Sequence, residues 1–327
     1  MTQTRVHLLR IAISVGALAF LFWRVVSPDE TLDVLRQAEL RYLLVAFLLF
    51  LVSLVVRAYR WFLLLRGLER KVSFGRLVRL YFVGQFFSSF LPTQFGGDVM
   101  RALELTADTE SSAAVGTVLL DRMTGLLTLF LMGLLALPFI ASQMDPWLIW
   151  LLVGVAGGGL VTGALVLEGR LLRRMTVWLP ASLSISGEGS LAQVYAAVTG
   201  CGWKALLGAA AVSIGFNLMN VVINWLCGRA VGAGVHLSYF FIVTPLLSVS
   251  GLVPSIGGWG VRETVSTAVF APIGAGADVA AALGISLGGV TLAAGLLCGG
   301  LYGFERVRAW ETQRRTIACC GDDHQLK

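Results

Sequence analysis

The amino-acid sequence predicts an all-α polytopic membrane protein with about eight transmembrane helices and two broken or re-entrant segments that form an internal repeat. Its 327 residues are 57% hydrophobic and only 13% charged, which is too little charge to cover a soluble globule of this length. Many apolar runs are about 20 residues long, the length that a helix needs to cross a bilayer. The whole chain, residues 1–327, is therefore predicted to form a single integral membrane domain.

Apolar runs predict the transmembrane helices in chain order. The run at 6–27 is similar to a signal peptide but has no convincing cleavage site, so we interpret it as a retained first span. Further spans are predicted at 42–65, 113–140, 147–167, 203–230, 237–253 and 279–302, and a half-length or tilted helix follows Glu263. Residues 169–202 are less apolar and are expected to form an interfacial helix and a loop.

Basic residues at the ends of the apolar runs predict the orientation. The densest cluster follows the second span and comprises Arg66, Arg70, Lys71, Arg76 and Arg79. Because cytoplasmic loops are rich in Lys and Arg, both termini are expected on the cytoplasmic side of the cell (inner) membrane. The net charge of +6 follows from these topology signals, so a nucleic-acid partner is not expected.

One segment, within about 237–275, cannot form an ordinary membrane helix. It runs from Pro254 through three glycines to an adjacent charge pair, Arg262 and Glu263; the glycines are Gly257, Gly258 and Gly260. At a helix interruption, unpaired amide groups and the positive end of the helix dipole can face an anion, and glycine lets that anion approach closely. Glu263 is expected to neutralise or orient an arginine other than Arg262, since adjacent helical residues do not face each other.

A fainter copy of this pattern lies upstream, within about 77–101, where Pro92 and a Gly96-Gly97 pair precede Arg101. It is expected to be a re-entrant hairpin that returns to the cytoplasmic side. Asp98 and Glu104 lie three residues on either side of Arg101 and share its helical face, so they are its predicted charge partners. Two interrupted segments in corresponding halves of a chain are typical of transporters.

Two further pairs of charged residues lie within the predicted spans. Arg57 and Arg60 share one face of the second span, and they either extend to the cytoplasmic interface, as Tyr59 and Trp61 would, or line a cavity. In the third span, an unpaired charge at Asp121 or Arg122 would cost about 3 kcal/mol, so pairing or water must compensate. The candidate anion site comprises Arg57, Arg60, Arg101, Arg122 and Arg262 with the three downstream glycines. The alternative is that the glycines permit tight packing and the charges pair among themselves.

The fifth predicted span carries one stripe of polar residues, Ser213, Asn217, Asn220 and Asn224. Their spacings of four, three and four place them on one face of a helix. They are expected to face protein, either as interhelical hydrogen-bonding groups or as a polar translocation track.

Motifs for chemical catalysis are missing from the sequence. It contains no GxxxxGK[ST] motif, its three histidines form no HExxH or triad pattern, and its five cysteines form no CxxC pair. No cofactor, metal site or enzymatic activity is therefore expected.

Several of these motifs together are similar to those of one known family. The chain resembles the flippase-like membrane proteins related to the transmembrane region of lysylphosphatidylglycerol synthase. The resemblance rests on the stretch from Arg57 to Trp61, on Pro92 to Arg101, on Asp121-Arg122, and most specifically on Pro254 to Glu263.

This resemblance implies a function. In the best-understood relatives this region is thought to move an aminoacylated phospholipid from the inner to the outer leaflet, while a separate soluble domain attaches the amino acid. That domain is not expected here, so the resemblance implies translocation without synthesis. The lipid would be lysylphosphatidylglycerol, another phospholipid or a polyprenyl-linked precursor. Our leading hypothesis is that Arg262 and Arg101 hold its phosphate.

Two other classes of function stay open at this point. One is an ion-coupled secondary transporter of a small soluble anion, with Asp121, Glu104 or Glu263 as the coupling group. The other is a non-transporting scaffold for an envelope enzyme. Membrane lipids are the expected partners, and a homo-oligomer or an envelope-enzyme partner is compatible with the sequence.

Overall fold

The fold is given by a computed structural model that describes residues 28–91, 95–141, 145–168, 190–251, 253 and 259–322. All regular structure in these ranges is helical, so the predicted all-α fold is confirmed for this part of the chain. The helices are α1 Pro28–Arg36, α2 Leu40–Gly67, α3 Phe74–Phe90, α4 Gly96–Leu105, α5 Ser111–Ile140, α6 Pro146–Leu152, α7 Gly158–Glu168, α8 Ser190–Gly200, α9 Trp203–Ala230, α10 Phe240–Ser250, α11 Val261–Phe270 and α12 Ala277–Asp322. A π-helical turn, Val153–Gly157, joins α6 to α7.

Among the described residues, five stretches of helix are long and apolar enough to cross a membrane. They are Leu40–Gly67, Ser111–Ile140, Pro146–Val166, Trp203–Ala230 and Ala277–Phe304, which agree with five of the predicted spans. The predicted first span at 6–27 lies outside the described residues. The predicted span at 237–253 is observed as a shorter apolar helix, Leu237–Ser250. The total of eight therefore stays a prediction.

The centre of the molecule is formed by α2 and α9, which pack along each other, and by α5, which packs against both. α2 turns a buried stripe, formed by Ala58, Trp61 and Leu65 at spacings of three and four, toward α3, α4 and α5. Since lipid is as apolar as these side chains, close packing and interhelical hydrogen bonds hold such helices together. This packing turns the Arg60 side chain of α2 toward α5 and α9.

The upstream broken segment forms a helical hairpin, because α4 returns along α3 after the interruption. The close approach depends on two glycines: a Cβ atom on Gly97 would collide with the carbonyl group of Gly84 and with the side chain of Ser88. Gly97 therefore permits the close approach of α4 to α3 at this point. Whether the hairpin enters the membrane and returns on the same side stays a prediction.

The downstream broken segment has the same helix order, with α10 before the interruption and α11 after it. The hydroxyl of Tyr239 donates to the carbonyl oxygen of Val269 at 2.7 Å, and Phe240 packs against Phe270, so α11 runs back along α10. α11 is the half-length helix that the sequence predicts. It also packs on α12, where Ser266 Oγ donates to the Ala280 carbonyl at 2.7 Å.

The predicted interfacial region at 169–202 is described only in part, because residues 169–189 lie outside the described ranges. The remainder contains α8, which packs against the start of α5. A Cβ atom on Gly116 would press against Ala197, so glycine permits this contact. The six-residue loop between α2 and α3, from Leu68 to Ser73, carries part of the basic cluster that follows the second span.

Candidate functional site

A carboxylate of α5 lies at the centre of the candidate site. Asp121 is 1% exposed, and its Oδ1 accepts a hydrogen bond from Arg60 Nε at 2.7 Å. Its Oδ2 accepts from Arg101 Nη2 at 3.1 Å and from the hydroxyl of Tyr81. A buried carboxylate is tolerated when several donors replace its lost hydration. Side chains of α2, α3 and α4 thus supply the pairing that Asp121 required.

A second carboxylate extends this network. Asp98 Oδ1 lies 3.3 Å from Arg101 Nη1, and Asp98 Oδ2 accepts a hydrogen bond from Arg122 Nη1. Arg101 therefore contacts both carboxylates. Three arginines, Arg60, Arg101 and Arg122, share Asp98 and Asp121, which leaves this chain of charges with one formal positive charge in excess.

Aromatic rings enclose the arginine at the middle of this chain. Arg101 Cζ lies 3.8 Å from the ring centre of Tyr81 and 4.5 Å from that of Trp61. Trp61 donates from Nε1 to Thr117 Oγ1 at 3.1 Å and is completely buried. The ring of Trp61 therefore packs on a guanidinium inside the bundle, and its interfacial depth in the membrane stays a prediction. Tyr59 is 45% exposed.

Two adjoining cavities lie between these helices. The first has a volume of about 240 Å³, and its charged lining is Arg57, Arg60, Asp98, Arg101, Asp121 and Arg122. The second, of about 210 Å³, is lined by Arg57, Asp98, Arg122 and Arg262 together with polar side chains of α3. Because three charged residues border both cavities, the five arginines named from the sequence surround adjoining spaces. Their role in binding an anion stays a prediction.

Arg57 differs from the other four arginines of the site. Among the residues that the structure describes, no carboxylate lies within ion-pairing distance of it, and its buried Nε has no hydrogen-bond partner. Its guanidinium faces the rings of Tyr81 at 5.1 Å and Phe216 at 5.4 Å. Arg57 lines both cavities, and Arg60 is only 2% exposed, so both side chains face the interior of the helix bundle.

The charge pair of the downstream segment is self-contained. Arg262 Nη2 donates to Glu263 Oε1 at 2.9 Å, so the expectation that Glu263 serves a different arginine is wrong. The cause is the position of Glu263 in the first turn of α11, where its Oε2 turns back and accepts from the amide of Gly260 at 2.7 Å. The Glu263 carboxylate therefore bonds the Gly260 amide, which the sequence had predicted to be a donor to a bound anion.

Of the three glycines named in this segment, Gly260 alone lies within the described residues. Gly260 has a φ of +84°, a backbone conformation that glycine alone adopts readily, and it is the N-cap residue directly before α11. Gly257 and Gly258 lie outside the described residues, so their predicted contact with an anion is untested. Glu104 faces Arg76, with Arg76 Nη2 at 3.3 Å from its Oε2, and it is absent from the linings of both cavities.

The polar stripe of α9 divides into two parts. Ser213 accepts from Arg60 Nη1 at 3.1 Å, and Asn217 Nδ2 donates to the Gly125 carbonyl of α5 at 3.0 Å, so these two join helices. Asn217 and Asn220 also line the first cavity. Asn224 donates to the Asn220 carbonyl of its own helix at 2.7 Å. The stripe thus contains both interhelical hydrogen bonds and polar side chains that line a cavity.

Two aromatic side chains of the site were absent from the sequence prediction. Tyr81 and Phe216 lie in apolar helices, where a ring is ordinarily a packing residue. Tyr81 carried a weak signal, since it is the only tyrosine in the short apolar run at 77–91. Phe216 carried no signal, because only the packing of α9 on α2 brings it under Arg57 and Arg60. In the described part of the chain, no group of three His, Cys, Asp or Glu residues is placed to hold a metal.

Comparisons with known proteins give the chain a wider context. Residues 7–299 match the family model described as the lysylphosphatidylglycerol synthase TM region, and this range includes every residue of the candidate site. A stretch of 132 residues is 26% identical to a UPF0104 membrane protein of Pyrococcus horikoshii. That stretch covers 39% of the chain and 39% of the relative, so the match spans well under half of either protein.

Proposed function

Since this chain belongs to the family of the lysylphosphatidylglycerol synthase TM region, and is thus a multi-pass membrane protein, we propose that it moves an anionic lipid between the two leaflets. The phosphate group of the lipid enters the arginine-lined cavities while its acyl chains stay in an apolar environment. The protein acts as a translocase in the cell membrane, with both termini cytoplasmic, and performs no chemical step.

One observation carries the choice of a lipid over a soluble anion. An apolar groove of about 330 Å³ runs between α5 and α7 and is lined almost entirely by hydrocarbon side chains and glycines. Leu126 of α5 lines both this groove and the first polar cavity. A molecule with a charged head and an apolar tail fits this pair of neighbouring spaces. A small soluble anion has no apolar part that would occupy the groove.

The shape of the groove follows from its sequence. On α7, a Cβ atom at Gly159 would collide with the ring of Phe130, and one at Gly163 would collide with Leu127. Glycine at these positions therefore leaves the groove wall smooth and lets α7 lie close to α5. A groove of this kind accepts a flexible hydrocarbon chain.

The charge of the cavities supports an anionic headgroup. The five arginines face three carboxylates, Asp98, Asp121 and Glu263, which leaves two formal positive charges in excess. In a site of low dielectric this excess is costly unless an anion or water compensates it. A phosphate group supplies the missing negative charge and accepts guanidinium hydrogen bonds in their preferred geometry.

Leaflet exchange in proteoliposomes tests the proposal. The purified protein is reconstituted with a trace of phospholipid labelled on its acyl chain with a fluorophore that dithionite bleaches only in the outer leaflet. Wild-type protein is expected to make the inner-leaflet pool accessible. Absence of exchange for every anionic phospholipid and polyprenyl phosphate tested contradicts the proposal.

A matched pair of variants then connects exchange with the groove. Leu126→Trp places an indole where groove and cavity meet, and it is expected to slow exchange by about tenfold or more, a rise of at least about 1.4 kcal/mol in the barrier. The control is Leu135→Trp on the same helix, where the side chain is 63% exposed toward the surroundings. Equal rates for the two variants exclude the groove from the lipid path.

A further inference from the structure

We infer that the lipid handled by this site is anionic and carries no basic group, and that Arg57 is the residue that holds its phosphate. This inference rests on the proposed function and narrows it. Lysylphosphatidylglycerol, the lipid in the name of the matched family, carries ammonium groups that outnumber its phosphate charge. The charges of the site oppose such a headgroup.

The first argument concerns which arginine is available. Arg60 and Arg101 are bonded to Asp121, Arg122 is bonded to Asp98, and Arg262 is bonded to Glu263. To bind a phosphate strongly, each of these four must weaken an existing ion pair. Arg57 has no such pair within the described ranges, and it lines both cavities. A phosphate is therefore expected to bind more strongly to Arg57 than to the other four arginines.

The second argument concerns the carboxylates. A lysyl headgroup needs a negative partner for its ammonium groups, since a buried ammonium without one is costly. The carboxylates of the site, Asp98, Asp121 and Glu263, each bond at least one guanidinium. The parts of the broken segments beyond the described ranges, 92–94, 252 and 254–258, contain no Asp or Glu in the sequence. The site thus presents an excess of positive charge to the headgroup.

A third observation describes the neutral part of the headgroup. Asn217 is 1% exposed, its Nδ2 is held by the Gly125 carbonyl, and its Oδ1 has no hydrogen-bond partner in the described structure. Asn217 lines the first cavity together with Arg57. An unpaired amide oxygen accepts a hydrogen bond from a hydroxyl group. The site therefore offers a cation for a phosphodiester and an acceptor for a hydroxyl-bearing neutral headgroup such as glycerol.

The test compares two lipids that differ only in the lysyl group. Phosphatidylglycerol and lysylphosphatidylglycerol, both labelled on an acyl chain, are followed separately by leaflet exchange in vesicles of neutral lipid that contain the wild-type protein. Phosphatidylglycerol is expected to exchange at least about tenfold faster, which is the effect of one charge-assisted hydrogen bond. Equal or faster exchange of the lysyl lipid overturns the inference but leaves the proposed translocation standing. Failure of both lipids to exchange counts against the proposed function itself.

Variants of Arg57 test the assignment of the residue. Arg57→Gln is expected to lower phosphatidylglycerol exchange by about tenfold, and Arg57→Lys to retain part of it, because lysine keeps the charge but loses the paired donors. The control is Arg41→Gln on the same helix, where the side chain is 71% exposed. Unchanged exchange in Arg57→Gln overturns the assignment.

A binding measurement keeps this test independent of transport. Because Arg57 has no carboxylate partner in the described structure, replacing it strands no buried acid, and Arg57→Gln is expected to fold. Phosphatidylglycerol added to the wild-type protein in detergent should raise its Tm, and this rise should be lost in Arg57→Gln but kept in Arg41→Gln. An equal rise in wild type and Arg57→Gln shows that the phosphate binds elsewhere.

Discussion

The two broken segments place a similar residue pattern in different electrostatic surroundings. Upstream, Arg101 reaches from α4 to Asp121 of α5 and lies between the rings of α2 and α3. Downstream, Arg262 bonds its own neighbour Glu263, and that carboxylate also caps α11. The upstream segment therefore joins four helices, whereas the charge pair of the downstream segment is satisfied within it. In both segments a glycine-rich break is followed by an arginine. Which helices that arginine joins depends on the position of the carboxylate that it bonds.

The largest expected difference between the segments is in their carboxylates. Asp121→Asn leaves Arg60 and Arg101 buried without their shared counter-ion, so the free energy of unfolding should fall by about 3–5 kcal/mol. Glu263→Gln keeps an acceptor for the Gly260 amide and should cost only about 1–2 kcal/mol. Unfolding in detergent, followed by circular dichroism, measures both. Equal losses would show that the downstream pair also holds distant helices together.

Glycine substitutions give the next largest effect and separate packing from backbone conformation. Gly97→Ala forces α4 away from the Gly84 carbonyl and should cost about 1–3 kcal/mol through overpacking. Gly260→Ala should cost about 1–2 kcal/mol because of its φ of +84°. The same unfolding measurement applies. The two causes are distinguished by the partner variant Ser88→Ala, which removes one of the colliding atoms and should relieve part of the cost at Gly97 alone.

The smallest effect is expected at the acid that lies outside the network. Glu104→Gln weakens a partly exposed pair with Arg76 and should change stability by about 0–1 kcal/mol, and by less at high salt. Unfolding at low and high ionic strength checks this. A loss as large as that of Asp121→Asn would restore Glu104 to the site that the sequence predicted.

The sequence predicted the long apolar helices well, because the length of an apolar run limits what can cross a bilayer. It also identified the charged residues of the site, since a charge within an apolar run needs a partner or water. Spacing along one helix predicted the pair of Asp98 and Arg101, which the structure shows, but the pairing of charges between helices was not predictable. Asp121 meets Arg60 and Arg101 only through the packing of α5 on α2 and α4, and residue spacing within one helix carries no information about it.

Sequence reasoning missed two contacts for specific reasons. The rule that neighbouring residues of a helix do not face each other failed for Arg262 and Glu263, because the Glu263 side chain turns back to cap the first turn of α11 and brings its carboxylate within reach. Trp61 looked like an interfacial anchor because tryptophan is common there. In the structure its ring covers a guanidinium, a contact that depends on the hairpin of α3 and α4.

The difference between the segments also changes which arginines should bind the substrate. Sequence reasoning placed five arginines, Arg57 among them, in the site and assigned the phosphate to Arg101 and Arg262. Both of these are bonded to carboxylates. Arg57 lies in an unbroken helix between the two segments and borders both cavities. We therefore propose that the two broken segments form the walls of the site. In this proposal α2 supplies Arg57, which has no carboxylate partner in the described structure.

The most direct test of this account is an experimental structure of the protein in a nanodisc containing phosphatidylglycerol. The account predicts density for a phosphate within about 3 Å of the Arg57 guanidinium, with an acyl chain passing Leu126 into the groove between α5 and α7. Phosphate density at Arg262 or on the outer surface, with both cavities holding only water, would contradict it.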